Sequence, residues 1–293
     1  MILIPQRLFE SPQVHSILRN GNICILHKEL TAPVLDREGY ISNHVVSVVL
    51  EGEQHIRTYE DEIIRVKAGE VLFIPRGMYY VTDLLPEGGN FRSLLFYFDD
   101  AIIQEFLSTS KVTEVSREEV PDHLKFGSVP TLQLFADSLI SFYQTQQIKD
   151  KNLLKLKILE LLHLLNSLAE EQQFANFLFR LTLPKKRNIT TFMEKNFAKP
   201  LKIEDYAYLT GRSMSSFRRD FKTFYDVTPQ RWLKERRLEK AASLLTNEET
   251  SVTQVAFEVG YENISYFIQA FKTQFGQSPK QYMLAQQRNH LRS

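Results

Sequence analysis

An internal repeat near the C-terminal end is the feature that most constrains this chain. Residues 203–233 and 252–283 are two copies of one unit. The offset between the copies is 49 residues up to a shared glycine and 50 residues after it, and duplicated units tolerate such a change at a turn. The matched pairs after the glycine are Ser213 with Asn263, Phe217 with Phe267, Phe221 with Phe271, Thr228 with Ser278 and Trp232 with Tyr282. The sequence therefore predicts one supersecondary motif formed twice.

Each copy carries the local signals of a helix-turn-helix motif. In the first copy, Ala207 is a small residue at which a second helix can approach closely. Gly211 can end the helix, because glycine takes the left-handed cap conformation without a Cβ clash, and Ser213 can cap the next helix. The second copy repeats these signals with Ala256, Gly260 and Asn263.

The second helix of each copy has a predicted buried face and a predicted polar face. Phenylalanines four residues apart mark the buried face. The opposite face carries the candidate DNA-binding residues, which are Ser215, Arg218, Arg219 and Lys222 in the first copy and Ser265, Ile268, Gln269 and Lys272 in the second.

These side chains suit the major groove of double-stranded DNA. Arginine can donate two hydrogen bonds to guanine O6 and N7, glutamine can pair with adenine N6 and N7, and isoleucine can contact a thymine methyl group. Lys222 and Lys272, near the far ends of their helices, are better placed for phosphate. The alternative is that these positions are merely solvated. Arg219 has a further alternative, since a neighbour of the buried face can pair internally with a carboxylate.

The formal net charge is +1, but charged residues are distributed unevenly along the chain. From Pro184 onward there are 19 Lys and Arg against 11 Asp and Glu, a net charge of about +8, while the rest of the chain carries about −7. A basic segment suits a polyanionic partner. Residues 181–187, in which Pro184 precedes a run of basic residues, are the predicted linker. We therefore expect two domains, residues 1–183 and 184–293.

The repeat and the segment between its copies closely resemble the AraC/XylS family of transcription regulators. The resemblance covers roughly residues 188–286 and rests on residues 236–241, 256–261 and 267–279. It implies two helix-turn-helix motifs, joined by a long helix, that bind successive major grooves on one face of DNA. In many relatives arginine stands at the position of Gln269. The pattern from Ser265 to Gln269, together with Trp232, looks more like the subgroup that activates type III secretion genes.

The residues before the repeat predict a β-rich domain followed by helices. Short strands are predicted at residues 45–50, 54–59, 63–66, 71–74 and 91–98, and such spacing is typical of an antiparallel sandwich or small barrel. The apolar period then changes to 3.6, which predicts a helix capped by Asp99 or Asp100, a second around residues 132–143 and a third capped by Asp150. The fold class is therefore α+β, with an N-terminal barrel or sandwich and a C-terminal all-α domain.

The third of these helices, which ends at Leu168, has broader apolar coverage than a surface helix needs. Two interpretations stay open. It is either the contact surface of a homodimer or a helix buried between the sheet and its neighbours.

The N-terminal strands resemble the cupin-type barrel that many AraC relatives use as a sensor. The resemblance rests on residues 51–53 and 69–77. Catalytic cupins bind a metal through a His-x-His pair, a following Glu and a later His, whereas His44 and His55 lie eleven residues apart. We therefore expect two strand histidines, no metal, no cofactor and no catalytic residue. The input to this domain is left open between a small molecule and a protein effector. A cupin-type enzyme with an accessory DNA-binding domain is the disfavoured alternative.

Three further features concern the environment of the chain. Cys24 is the single cysteine, which fits a reducing cytosol and predicts a small buried strand residue. No apolar run approaches the ~20 residues that span a bilayer, and the first residues lack the pattern of a secretory signal. We expect a cytoplasmic protein with DNA and RNA polymerase as partners and with no membrane contact.

Overall fold

The computed structural model describes residues 1–58, 61–110, 121–144, 151–170, 172–183, 186–246 and 250–290, and the side chains of residues 142–144, 151 and 287–290 lie outside the description. The predicted cap Asp150, the side chain of Tyr143 and the linker residues Pro184 and Lys185 therefore lie outside the described residues. The chain separates into two compact units, Met1–Leu183 and Pro184–Ser293.

The first unit is built on two β-sheets. Its strands are β1 (Ile2–Ile4), β2 (Val14–Asn20), β3 (Ile23–Leu30), β4 (Val34–Ile41), β5 (His44–Glu51), β6 (Glu53–Thr58), β7 (Ile63–Lys67), β8 (Val71–Ile74), β9 (Gly77–Leu84), β10 (Phe91–Phe98) and β11 (Leu124–Phe126). One sheet has the order β1-β4-β9-β6-β7 and the other the order β11-β8-β5-β10-β3-β2. The β1–β4 pairing is parallel, and the neighbours of β5, β6 and β10 are antiparallel.

Two apolar cores follow from the two-residue period of the strands. Val45 and Val49 of β5 belong to a core shared by both sheets, together with Ile56 and Leu95. The alternate residue Val46 faces a second core, which the six-stranded sheet shares with four helices. These helices are α1 (Asp100–Thr109), α2 (Pro130–Gln144), α3 (Lys151–Leu168) and α4 (Gln173–Leu181).

The predicted β-sandwich with helices is confirmed. All five predicted strands are present, although β6 ends at Thr58 and Tyr59 lies outside the described residues. Cys24 is a fully buried residue of β3. His44 and His55 are strand histidines, and His44 Nε2 lies 2.9 Å from Asp100 Oδ1. Within the described residues, no group of three or more His, Cys, Asp or Glu side chains could hold a metal ion.

The burial of the side chains of α3 distinguishes the two interpretations of its apolar coverage. Five of its side chains are at most 2% exposed and pack in the core against the sheet and the other helices. They are Leu154, Ile158, Leu161, Leu162 and Leu165. Most of the apolar coverage is therefore core packing, whereas Leu156 and Leu168 are 58% and 40% exposed.

The second unit is all α. Its helices are α5 (Ile189–Asn196), α6 (Ile203–Leu209), α7 (Met214–Tyr225), α8 (Pro229–Leu244), α9 (Val252–Glu258), α10 (Ile264–Phe275) and α11 (Pro279–His290). The predicted long helix between the copies is α8, which begins with Pro229 after the N-cap Thr228. In the part of the chain described, no helix is both long enough and apolar enough to cross a bilayer.

Candidate nucleic-acid interface

The turns of the two motifs have the geometry that the sequence predicts. Gly211 follows α6 with φ +68°, and Gly260 follows α9 with φ +84°. The side chain of Ser213 accepts a hydrogen bond from the backbone N–H of Ser216, and that of Asn263 accepts one from Tyr266. Each turn therefore ends one helix and starts the next with a satisfied N-terminal amide.

The buried faces of α7 and α10 are matched in their packing. Phe217, Phe221, Phe267 and Phe271 are all fully buried. The ring of Phe221 packs edge-on against Trp232 with centroids 5.7 Å apart, and Phe271 packs in the same way against Tyr282 at 5.5 Å. The repeat in the sequence is thus also a repeat in three dimensions, with each second helix held against the helix that follows it.

All eight candidate DNA-binding side chains are exposed, on the faces opposite these phenylalanines. At about 100° per residue, the four positions on each helix fall within an arc of about 100°. Ile268 is 38% exposed, although it is a large apolar residue. Each helix therefore presents one continuous strip that a DNA groove could contact.

The two arginines of α7 differ in their surroundings. Among the described residues, no hydrogen bond or ion pair holds the side chain of Arg218. Arg219 is 76% exposed, and its Nε lies 3.5 Å from Asp220 Oδ1. The expected alternative of an internal ion pair therefore applies to Arg219, while Arg218 is available to an external partner.

Asp220 is held mainly by another residue of the first motif. Arg212 Nε donates to Asp220 Oδ2 at 3.0 Å, and this hydrogen bond lowers the pKa of Asp220, with smaller effects from the charges of Arg212 and Arg219. Arg212 also donates to the backbone oxygens of Thr210 and Arg187. In α10 the matching residue is Ala270, which is 5% exposed. The carboxylate beside the recognition strip is therefore particular to the first motif.

One exposed aromatic residue beside the second strip is a candidate that the repeat pattern did not single out. Tyr266 is 58% exposed, and its ring lies 6.0 Å from that of Tyr261. A phenol hydroxyl can donate to a phosphate oxygen. Tyr266 aligns with Ser216, which is small. A comparison of the two copies therefore did not indicate an aromatic residue at this position.

Two exposed recognition helices, each in a helix-turn-helix motif and joined by a third helix, define the class of double helix-turn-helix DNA-binding proteins. Residues 206–285 match the family described as a helix-turn-helix domain, and residues 44–177 match that of the ExsA N-terminal regulatory domain.

Similarity to individual proteins identifies the family. The chain is 30% identical over 238 residues to the HTH-type transcriptional regulator ExsA of Pseudomonas aeruginosa, covering 80% of this chain and 84% of the relative. It is 29% identical over 220 residues to the virulence regulon transcriptional activator VirF of Yersinia enterocolitica, covering 74% and 80%. The chain belongs to the AraC/XylS family: it is a DNA-binding transcription regulator that binds double-stranded DNA, and not an enzyme.

Among solved structures, an apo variant of ToxT from Vibrio cholerae aligns over 91% of this chain and 98% of its own, with a TM-score of 0.46 and 12% identity.

Proposed function

We propose that the protein is a transcription activator that binds successive major grooves with α7 and α10. The supporting observation is the pair of exposed strips on two helices whose buried faces pack alike. Base contacts are assigned to Arg218, Ile268 and Gln269 and phosphate contacts to Lys222 and Lys272, with Ser215, Ser265 and Arg219 as supporting polar contacts. Activation is proposed because the relative VirF is named as an activator, and because Ser265 to Gln269 resemble the subgroup that activates type III secretion genes.

A fragment of residues 184–293 is expected to bind DNA specifically, because it contains both strips and forms a compact unit of its own. The binding site is first selected from random DNA with the full chain. Gel-shift titrations then compare the fragment on that site and on a scrambled site of equal length. A folded fragment with equal affinity for both sites would contradict the proposal.

The remaining partners follow from this assignment. RNA polymerase is the proposed partner of the DNA-bound activator in the cytoplasm. Residues 1–183 are proposed as the regulatory input, and the matched family description of an N-terminal regulatory domain supports this role. The proposed effector is a small molecule or a protein.

Homodimerisation through α3 is proposed as a second role of the first unit. The exposed Leu156 and Leu168 support it, while the buried leucines of the same helix have a sufficient explanation in the core. Sedimentation of residues 1–183 is expected to show a dimer, and Leu156→Glu is expected to give the monomer with unchanged far-UV circular dichroism. A strict monomer of the unmodified fragment at high micromolar concentration would reject this role.

A further inference from the structure

One short backbone segment in the second unit receives contacts from both helix-turn-helix motifs and from the helix between them. We call residues 197–201, which connect α5 to α6, the 197–201 turn. Three of its carbonyl oxygens, those of Phe197, Lys199 and Leu201, accept hydrogen bonds from one side chain. Residues 197–200 of this turn are half-buried, and three hydrogen bonds from one planar group restrict the position of the backbone.

The side chain that binds these oxygens is Arg237 of α8. Its Nε donates to Phe197 O at 2.7 Å, and its Nη2 donates to Lys199 O and, at 3.4 Å, to Leu201 O. The planar guanidinium group can hold several acceptors in a fixed geometry, whereas the ammonium of lysine has no such fork. Arg237 therefore connects α8, the helix between the motifs, to the 197–201 turn by hydrogen bonds.

The first motif reaches the same turn through Tyr206 of α6. Its side chain is fully buried, and its hydroxyl donates to Asn196 O at 2.8 Å and lies 3.4 Å from both Phe197 O and Lys199 O of the turn. Burial raises the pKa of Tyr206 to about 12, although the nearby charge of Arg237 acts in the opposite direction. The hydroxyl is therefore a permanent donor at neutral pH.

The second motif reaches the turn through Gly260, in the left-handed conformation between α9 and α10. A Cβ atom at Gly260 would lie 2.6 Å from Ala198 O and 2.9 Å from Lys199 O. Real Cβ atoms do not approach a backbone oxygen at such a distance, so the second motif packs against the turn at a separation that only glycine allows. The next residue, Tyr261, is buried and lies within reach of the charge of Arg237.

Contacts with α8 alone would restrict the relative orientation of the two motifs less than contacts with α8 and the 197–201 turn together. The first motif packs on Trp232 near the start of α8, and the second packs on Leu238, Ala241 and Leu245 near its end. Each contact is made with one part of a single helix, so bending or rotation about α8 would change the angle between α7 and α10. The 197–201 turn lies beside α8 and contacts both motifs, and it therefore restricts these motions.

We infer that the 197–201 turn sets the orientation of α7 relative to α10, and that Arg237 is a positioning residue for recognition of a two-part DNA site. The inference rests on the proposed function, in which both helices bind DNA. Half-sites bound on one face of DNA lie about one helical turn apart, which is about 10 base pairs. A rigid pair of motifs gains affinity for such a site because the second binding event is intramolecular. The 197–201 turn therefore determines which half-site spacing the protein accepts.

The test uses the full chain, with Arg237→Gln and Arg237→Lys as variants and Arg231→Gln as the matched control. Arg231 lies on the same helix and carries the same charge, but it is 69% exposed and its guanidinium pairs with Glu235 of α8 at 2.8 Å. Binding is measured on the selected site, on each half-site alone, and on sites with one base pair added to or removed from the spacer.

For both Arg237 variants we expect affinity for the complete site to fall about tenfold or more, which is part of the gain that linkage of two binding modules provides. Affinity for each half-site should change less than twofold, and the penalty for a changed spacer should shrink. Arg231→Gln should change complete-site and half-site affinity in proportion and leave the spacer penalty intact. Equal losses on complete and half-sites in the Arg237 variants, with an unchanged spacer penalty, would overturn the inference.

Gly260→Ala provides a second route if Arg237→Gln does not fold, because it disturbs the same turn without removing a charge. Thermal melts identify the folded variants, and only these are compared. The same loss of spacer dependence is expected, and an unaltered spacer penalty in folded Gly260→Ala would count against the inference. A failure of the proposed function is distinguishable, because the unmodified protein itself would then show no preference for the complete site over a half-site.

Discussion

Asp83→Ala is expected to lower the free energy of unfolding of the N-terminal unit by about 3–5 kcal/mol, the cost of removing one partner from a buried ion pair. Asp83 is fully buried on β9, and its Oδ2 pairs with Lys28 Nζ of β3. Its Oδ1 accepts a hydrogen bond from Gln54 Nε2 at 2.7 Å, and Gln54 Oε1 accepts one from Ser47 Oγ at 2.9 Å. The substitution would leave the charge of Lys28 buried without its carboxylate.

The double variant Lys28→Met/Asp83→Leu is expected to recover part of this loss, because apolar residues of similar volume often replace a buried ion pair without a stability cost. The remaining loss is the cost of leaving the buried Nε2 of Gln54 without its acceptor, about 1–3 kcal/mol. Urea unfolding of residues 1–183 measures both effects. Glu105→Ala is the control: the ion pair of Glu105 with Lys155, at 3.0 Å, is exposed, and its removal should cost less than about 1 kcal/mol. If Asp83→Ala and Glu105→Ala destabilise the unit equally, the buried pair is not a major determinant of stability.

The ion pair between Lys28 and Asp83 could not be predicted from the sequence. Lys28 and Asp83 are 55 residues apart and lie on strands of different sheets. Neither residue differs locally from a solvated charge, so no pattern along the chain could join them. The sequence pattern did not indicate strand β4, because three consecutive charged residues, Asp36, Arg37 and Glu38, interrupt its alternation. Long-range topology, rather than local preference, determined these features.

The helix-turn-helix motifs were predictable because their signals are local and occur twice. The glycine conformations and the caps Ser213 and Asn263 each depend on residues within one turn of helix. The buried phenylalanines follow from a four-residue spacing. The 197–201 turn was not predictable, since the role of Gly260 against Ala198 depends on how the second motif packs on a segment about 60 residues earlier. The base contacts of the exposed strips stay predictions.

Arg218→Ala is expected to cost about 1–3 kcal/mol of DNA-binding free energy and to relax the preference at one base pair, as for a bidentate contact with guanine. Arg219→Ala is the matched control on the same strip. Its guanidinium is 3.5 Å from Asp220, so its removal should cost less and should not change base preference. An equal loss for Arg218→Ala on all DNA sequences would instead indicate a phosphate contact.

The second strip should contribute less of the affinity, because Ile268 and Gln269 carry no charge and charge-assisted hydrogen bonds are the stronger ones. Gln269→Ala should therefore weaken binding less than Arg218→Ala and shift preference only in the half-site bound by α10. Lys222→Ala and Lys272→Ala should each reduce the salt dependence of binding by about one unit without changing base preference, as expected for phosphate contacts. Titrations at several salt concentrations, on sites altered in one half at a time, separate these effects. If Gln269→Ala proves as damaging as Arg218→Ala, the asymmetry inferred from the side chains is wrong, because neutral contacts from α10 would then contribute as much binding free energy as the charged contacts from α7.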